Sequence, residues 1–313
     1  MQVAPHNETV EIRVRSNGLT LCARIEGPTQ APPILLIMGL GMQLVAWPEP
    51  FRAPLIAAGF RVVSFDNRDS GLSTPMDHLG TPDLFWASLR YSLRMKVNAP
   101  YRLEDMAADT LGLLDALELE RAHVVAVSMG GMIGQILAAV HPERVASFSC
   151  LMSSSGSRQL PGPTLAARAA LLRRPRNPRN VENAIDTLEH LMRVIGSPRY
   201  PTEPAELRAQ VAGWVRRAYR PAGTIRQLVA IAASGDRSGL LSQVRAPTLV
   251  VHGLLDPLIP VAAGRDLARR IPGARLEVIE GMGHDLPPAL LPQLAELVLE
   301  HVVQSSTRPH EEA

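Results

Sequence analysis

The chain is poor in several features that would point away from ordinary single-domain enzyme chemistry. It has two cysteines in 313 residues, Cys22 and Cys150. They lie far apart in apolar, strand-like segments without ligand or redox spacing, so a thiolate metal site or a disulfide framework is excluded and both are expected to be buried thiols. No uncharged apolar stretch approaches the roughly 18 to 20 residues of a membrane span. Residues 1–10 are polar and charged and lack the apolar run of a secretory signal, so a cytoplasmic location is expected. The net charge of +2 argues against a general nucleic-acid partner. Lysine is nearly absent, Lys96 being the single one among 32 basic residues, and this excludes nothing by itself. No G-x-G-x-x-G with a later ribose-binding acid follows an early strand, so no cofactor is implied, and the scattered histidines make no metal-ligand set. No internal repeat is present.

What the chain has is apolar and alternating. With 46% hydrophobic residues it can bury the core of one large α/β domain. Alternation over residues 9–16 and 19–24 around Asn17-Gly18 predicts an edge hairpin. The runs at 34–37, 61–65, 124–127, 145–152, 248–252 and 275–279 predict buried strands. Helical spacing covers 51–58, 103–117, 129–140, 261–270 and 290–302, and the polar tail 304–313 is expected to be disordered. Strands alternating with helices predict a mostly parallel sheet with helices on both faces, an α/β fold whose ligands bind at the carboxyl ends of the strands.

Residues 124–132, V-V-A-V-S-M-G-G-M, read as strand, sharp turn and helix with Ser128 at the turn. That is a nucleophile elbow, which holds a weakly nucleophilic hydroxyl away from the backbone, in reach of a base and of N–H donors for an oxyanion. The usual first glycine of G-x-S-x-G is Ala126 here, which is expected to loosen the elbow slightly without abolishing it. The alternative is a serine that only N-caps a helix. Two further residues argue for the elbow. Asp256 follows the strand at 248–252 in H-G-L-L-D-P, and His284 follows the strand at 275–279 in G-M-G-H-D. Nucleophile, orienting acid and base thus come in the order Ser, Asp, His, each just past a strand. His252 reads as a packing histidine, and His123 and His141 as structural. Asp285 is a lesser candidate for the orienting acid, because neighbouring side chains seldom face each other.

With these residues the chain, over roughly 10–303, resembles the α/β-hydrolase superfamily and in particular its small esterase and methylesterase-like members with a helical cap. The resemblance implies that backbone N–H groups of Leu40, in Met38-Gly39-Leu40-Gly41, and of Met129 form the oxyanion hole. Met38 replaces the family's frequent histidine, which puts the anchoring of that loop in question. The stretch from Asp66 to Gly71 is also family-like, with Arg68 expected to tie loops together. Residues 156–239, helical in pattern and holding 14 arginines against 6 acids over 157–237, are expected to be a cap inserted between the two parts of a core at 1–155 and 240–313. The arginines are spread along the segment, as on a solvated helical face. A second variable stretch, 76–98, is apolar enough either to line the pocket or to pack under the cap. Trp47, Trp86 and Met152 are candidate pocket residues.

The expected activity is a serine hydrolase cleaving a carboxylic ester of a small to medium organic substrate through an acyl-enzyme. Other serine-triad reactions stay open, namely those of lactonases, cofactor-free perhydrolases, carbon–carbon bond hydrolases and acyltransferases. So does a non-catalytic ligand-binding protein on the same fold. The serine argues against the dehalogenases and epoxide hydrolases of the superfamily, which use an aspartate nucleophile. Oligomeric state is not legible in the sequence.

Overall fold

The computed structural model describes residues 10–177 and 180–307. What was read on residues 1–9 and 308–313 lies outside them. β1 (Val10–Ser16) and β2 (Leu19–Glu26) form the expected hairpin. Its turn residues Asn17 and Gly18 have φ of 47° and 76°, the positive values that a tight hairpin turn requires and that Asn-Gly supplies. β2 then pairs antiparallel with β4 (Arg61–Phe65).

From there the sheet is parallel. β3 (Pro33–Ile37), β5 (Ala122–Val127), β6 (Val145–Leu151), β7 (Thr248–Gly253) and β8 (Arg275–Ile279) complete eight strands in the order β1-β2-β4-β3-β5-β6-β7-β8. Successive side chains of a strand point to opposite faces, and both faces here are apolar. Ile34, Leu36, Val62 and Val125 pack on one side with Phe51 and Leu55 of α1 (Glu49–Ala57) and Leu294 and Val298 of α10 (Leu291–Thr307). Leu35, Ile37, Val63 and Val124 pack on the other with Leu113 of α3 (Leu103–Ala116), Ile133 of α4 (Met129–Val140) and Leu267 of α9 (Ala262–Arg270). Each such side chain is worth about 1.5–3 kcal/mol on burial, which is why continuous apolar runs rather than alternating ones mark these strands.

Most element ends fall within two residues of the sequence reading. The exception is α10, which runs to Thr307 where a disordered tail from 304 was expected. Ser305 and Ser306 donate their hydroxyls to the carbonyls of His301 and Val302 at 2.6 and 2.9 Å, so their polar groups are satisfied within the helix, whose last turns are held by the buried His301 and Val302.

Between β6 and β7 the described residues hold four α-helices and no strand: α5 (Leu165–Leu171), α6 (Val181–Ile195), α7 (Pro204–Arg217) and α8 (Pro221–Ser234). They have a small core of their own, with Ile185, Val211 and Val215 at its centre. Many of their arginines are used internally. Arg208 reaches Asp186 and Glu189 at 2.9 and 2.7 Å, and Arg226 is buried against Asp69 at 2.7 Å.

Candidate active site

β5 lies between β3 and β6, so the residue at its carboxyl end stands at the middle of the sheet edge where ligands bind. That residue is Ser128. Its N–H extends the ladder to Leu151 O at 2.9 Å, and its φ and ψ of 56° and −118° turn the chain sharply into α4. A non-glycine residue with positive φ is uncommon and costs energy; here it lifts the hydroxyl off the strand. The turn is tight enough that a Cβ on Gly130 would stand 2.2 Å from Ile37 O, so a side chain there would force the helix off the sheet. An ordinary N-cap is thereby excluded for Ser128, which also makes no side-chain cap hydrogen bond to α4.

The hydroxyl of Ser128 lies 3.0 Å from His284 Nε2, and His284 Nδ1 lies 2.6 Å from Asp256 Oδ2. Asp256 is buried, which by itself raises a carboxyl pKa. That effect is outweighed by the charge of His284, by hydrogen bonds from histidine and by the Ile259 N–H, and the group is held well below the usual carboxylate range. It therefore accepts only, so His284 turns its Nδ1–H to the carboxylate and its Nε2 to the Ser128 hydroxyl. His252, buried behind the site, donates Nε2–H to the Ile259 carbonyl at 2.7 Å and stands 3.5 Å from Asp256. It packs and steadies the acid loop without reaching Ser128. Asp285 does not orient His284: its carboxylate accepts from the Ser197 hydroxyl at 2.5 Å, on the side of the cavity.

The loop after β3 passes over the nucleophile. A Cβ on Gly39 would stand 3.2 Å from Ser128 Cβ and 3.7 Å from its Oγ. Leu40 follows in that loop, while Met129 is the first residue of α4, whose N–H has no intrahelical acceptor. The anchoring that Met38 put in question comes from other side chains. Asn67 donates to Met38 O at 3.1 Å, Ser70 to Met42 O at 2.6 Å, and Gln227 of α8 accepts from Gly41 N–H at 2.8 Å while donating to Arg68 O at 2.7 Å. Asp66 accepts from Leu44 N–H at 2.7 Å and from Arg217 at 2.8 Å. Arg68 itself forms a two-pronged pair with Asp109 at 2.5 and 2.6 Å, the structural role expected of it.

Comparison with known proteins agrees with this geometry. The alpha/beta hydrolase fold family matches residues 32–287. The chain belongs to that family. Rhodomycin D methylesterase of Streptomyces peucetius is 28% identical over 310 residues, covering 92% of this chain and 96% of the relative. A putative carbamate hydrolase of Variovorax paradoxus is 28% identical over 272 residues, covering 83% and 87%. In fold, the enol-lactonase of Burkholderia xenovorans superposes with a TM-score of 0.68 at 24% identity, over 95% of this chain and 100% of that one. The expected α/β-hydrolase architecture holds for this chain, and so does the expected class, a serine α/β hydrolase.

A cavity of about 890 Å³ lies over Ser128 and His284 of this α/β hydrolase. Met38 to Met42 and Met152 form its floor, and Leu188, Leu191 and Met192 of α6 with Trp214 of α7 and Leu228 of α8 form its far walls. Of the three residues expected in the pocket, only Met152 is there. Trp47 is 1% exposed but sits behind the wall, stacked on Phe51 at 5.3 Å in the core under α1. Trp86 is 59% exposed on α2 (Leu84–Ser92) and lines no part of the cavity, to which that helix contributes Leu84. A tryptophan near a strand end is equally suited to core or cavity, and only the packing of α1 and α2 decides. The sequence reading also missed Gln43, Ser197 and Gln227. Isolated polar residues in helical or loop patterns carry no signal until the fold brings a backbone partner to them. Among the described residues no group of three or more His, Cys, Asp or Glu could hold a metal ion, and no helix is long and apolar enough to cross a membrane.

Proposed function

We propose that the protein hydrolyses a carboxylic ester with an apolar acyl part of some bulk and a small alcohol. The observation that carries this reading is the hydrogen-bond chain Ser128–His284–Asp256, 3.0 and 2.6 Å long, on the floor of a cavity of about 890 Å³. His284 takes the hydroxyl proton as Ser128 attacks the ester carbonyl, and Asp256 stabilises the imidazolium. The N–H groups of Leu40 and Met129 receive the oxyanion. His284 returns the proton to the leaving alcohol, and water, activated in the same way, releases the acid from Ser128.

The four helices at 165–234 act as a cap over a core made of the segments before and after them, and they enclose the acyl group away from water. The volume supports a bulky acid, since a short acyl chain would leave most of it unfilled. The methylesterase among the relatives supports a small alcohol. The protein is expected to need no cofactor and to work in the cytoplasm.

Ser128→Ala is expected to lower kcat on any ester by several orders of magnitude and to abolish labelling by a fluorophosphonate. Wild-type turnover of methyl acetate and of methyl esters of naphthoic and anthracene carboxylic acids, which share one leaving alcohol, gives the size preference. Retention of wild-type activity by Ser128→Ala would overturn the assignment, and preference for the acetate would overturn the acyl size.

A further inference from the structure

The loop that carries His284 is held from two directions. On the core side, Met282 O accepts from Leu255 N–H at 3.0 Å, beside the acid Asp256. On the other side it is held by the end of α6, a different part of the chain. His284 N–H donates to Ile195 O at 2.7 Å, and Gly283 N–H donates to Ser197 Oγ at 2.8 Å. The hydroxyl of Ser197 donates in turn to Asp285 Oδ1 at 2.5 Å, and the Ser197 N–H also bonds that carboxylate. The two backbones touch as well: a Cβ on Gly283 would stand 2.4 Å from Gly196 O. Ser197 is 2% exposed, so its hydroxyl is shielded from water, while Asp285 is half-buried at the edge of the cavity.

The same stretch is a wall of the cavity. Ile195, Gly196 and Ser197 line it, continuous with Leu188, Leu191 and Met192 on α6. A substrate that presses on α6 therefore presses on the segment to which the base is bonded. Neither Ser197 nor Asp285 is within the chain Ser128–His284–Asp256, and neither is needed to explain the stability of the sheet.

We propose that Ser197 and Asp285 are positioning residues, a clamp that sets His284 against Ser128 according to where the end of α6 lies. The proposal rests on the serine mechanism above. The geometry of a proton transfer is steep in distance, so that a displacement of about 1 Å costs on the order of 100-fold in rate. A clamp of one buried hydroxyl and one carboxylate is enough to control it. Asp285 adds a charge next to His284. Burial pushes its carboxyl up to about 6, against the lowering by its Ser197 bonds and by His284, while Asp256 from the β7 loop raises it. In the ionised form it favours the imidazolium that forms during attack.

The test uses the full-length enzyme with Ser197→Ala, Ser197→Thr and Asp285→Asn. Ser197→Ala is expected to lower kcat about 10- to 100-fold with KM within about twofold, and to slow fluorophosphonate labelling of Ser128 by a similar factor. Ser197→Thr, which keeps the hydroxyl, should restore most of both. Asp285→Asn keeps an acceptor for Ser197 and removes the charge, so the acid limb of kcat/KM should move to lower pH. A thermal melt of each variant separates misfolding from misplacement: a variant that melts as wild type yet turns over slowly supports the clamp. Unchanged kcat and labelling in folded Ser197→Ala, or a pH profile unmoved by Asp285→Asn, overturns it. A wild type that is not labelled at Ser128 would instead sink the serine mechanism, so the two failures are told apart.

Discussion

Ser128 shows how much one residue's backbone can reveal. Its positive φ is a strain that the flanking packing sustains, and Ala126, the one departure from the usual elbow, bears on that packing directly. In the sequence Ala126 looked like a loosening. In the structure its methyl points at α4 where Gly134 lacks a side chain: a Cβ built on Gly134 would stand 3.4 Å from Ala126 Cβ and 2.5 Å from the Phe148 ring. The space that a glycine at 126 would have left open is filled by alanine, and Gly134 makes the room. Ala126→Gly is therefore expected to leave kcat within about twofold and to lower stability by about 0.5–1 kcal/mol, from the added freedom of the unfolded chain. Urea melts and steady-state kinetics check both, and a large rise in kcat would mean that the methyl does hinder the elbow. The serine, the acid and the base were legible because each follows a strand at once, a local pattern. The sequence already prefers Asp256 to Asp285, on the ground that neighbouring side chains seldom face each other, and the 2.6 Å contact of Asp256 with Nδ1 agrees with that choice.

At the scale of elements, the loop after β3 depends on a helix that follows it by more than half the chain. Gly41 and Gln227 are separated by 186 positions and bonded at 2.8 Å. Gln227 is fully buried, and its removal leaves both Gly41 N–H and Arg68 O without their partner, a cost of about 1–3 kcal/mol. Gln227→Ala is expected to lower the melting temperature and to reduce kcat/KM about tenfold, chiefly through kcat, because the loop whose Leu40 N–H we propose receives the oxyanion loses its tie to α8. Kinetics on a small soluble ester, which does not need the far walls of the cavity, checks this; an effect confined to KM would place Gln227 in substrate binding instead. The strand and helix types were legible from periodicity, since burial on both faces writes continuous apolar runs. The ties between loops were not, because a hydrogen bond from a single glutamine leaves no repeat in the sequence.

For the molecule as a whole, the histidine content sets an acid limit. His123, on the central strand β5, has Nδ1 2.8 Å from Ser147 Oγ and its ring edge-on to Phe60. Burial, with the nearby positive charges of His301 and Arg121, pushes its pKa down to about 4. The unfolded chain takes up this proton near 6.5, so stability is complete above about pH 6.5 and falls as pH drops from there to about 4, by at most about 3 kcal/mol. Denaturant melts at pH 7.5 and 4.5 should show the loss, and His123→Gln, which does not titrate, should reduce it. An equal loss in the variant would assign the acid sensitivity to other groups. Family membership follows at this scale too, since the match spans most of the chain. Local order determined the hairpin at Asn17-Gly18, the buried strands, the elbow at Ser128 and the succession Ser, Asp, His, because turn chemistry and side-chain periodicity act between near neighbours. Only the tertiary structure decided that Trp47 is core and Trp86 solvent-facing, and that α6 and α8 grip the loops of the site. Those outcomes depend on contacts between segments such as Ser128 and His284, 156 positions apart, whose distance no local pattern encodes.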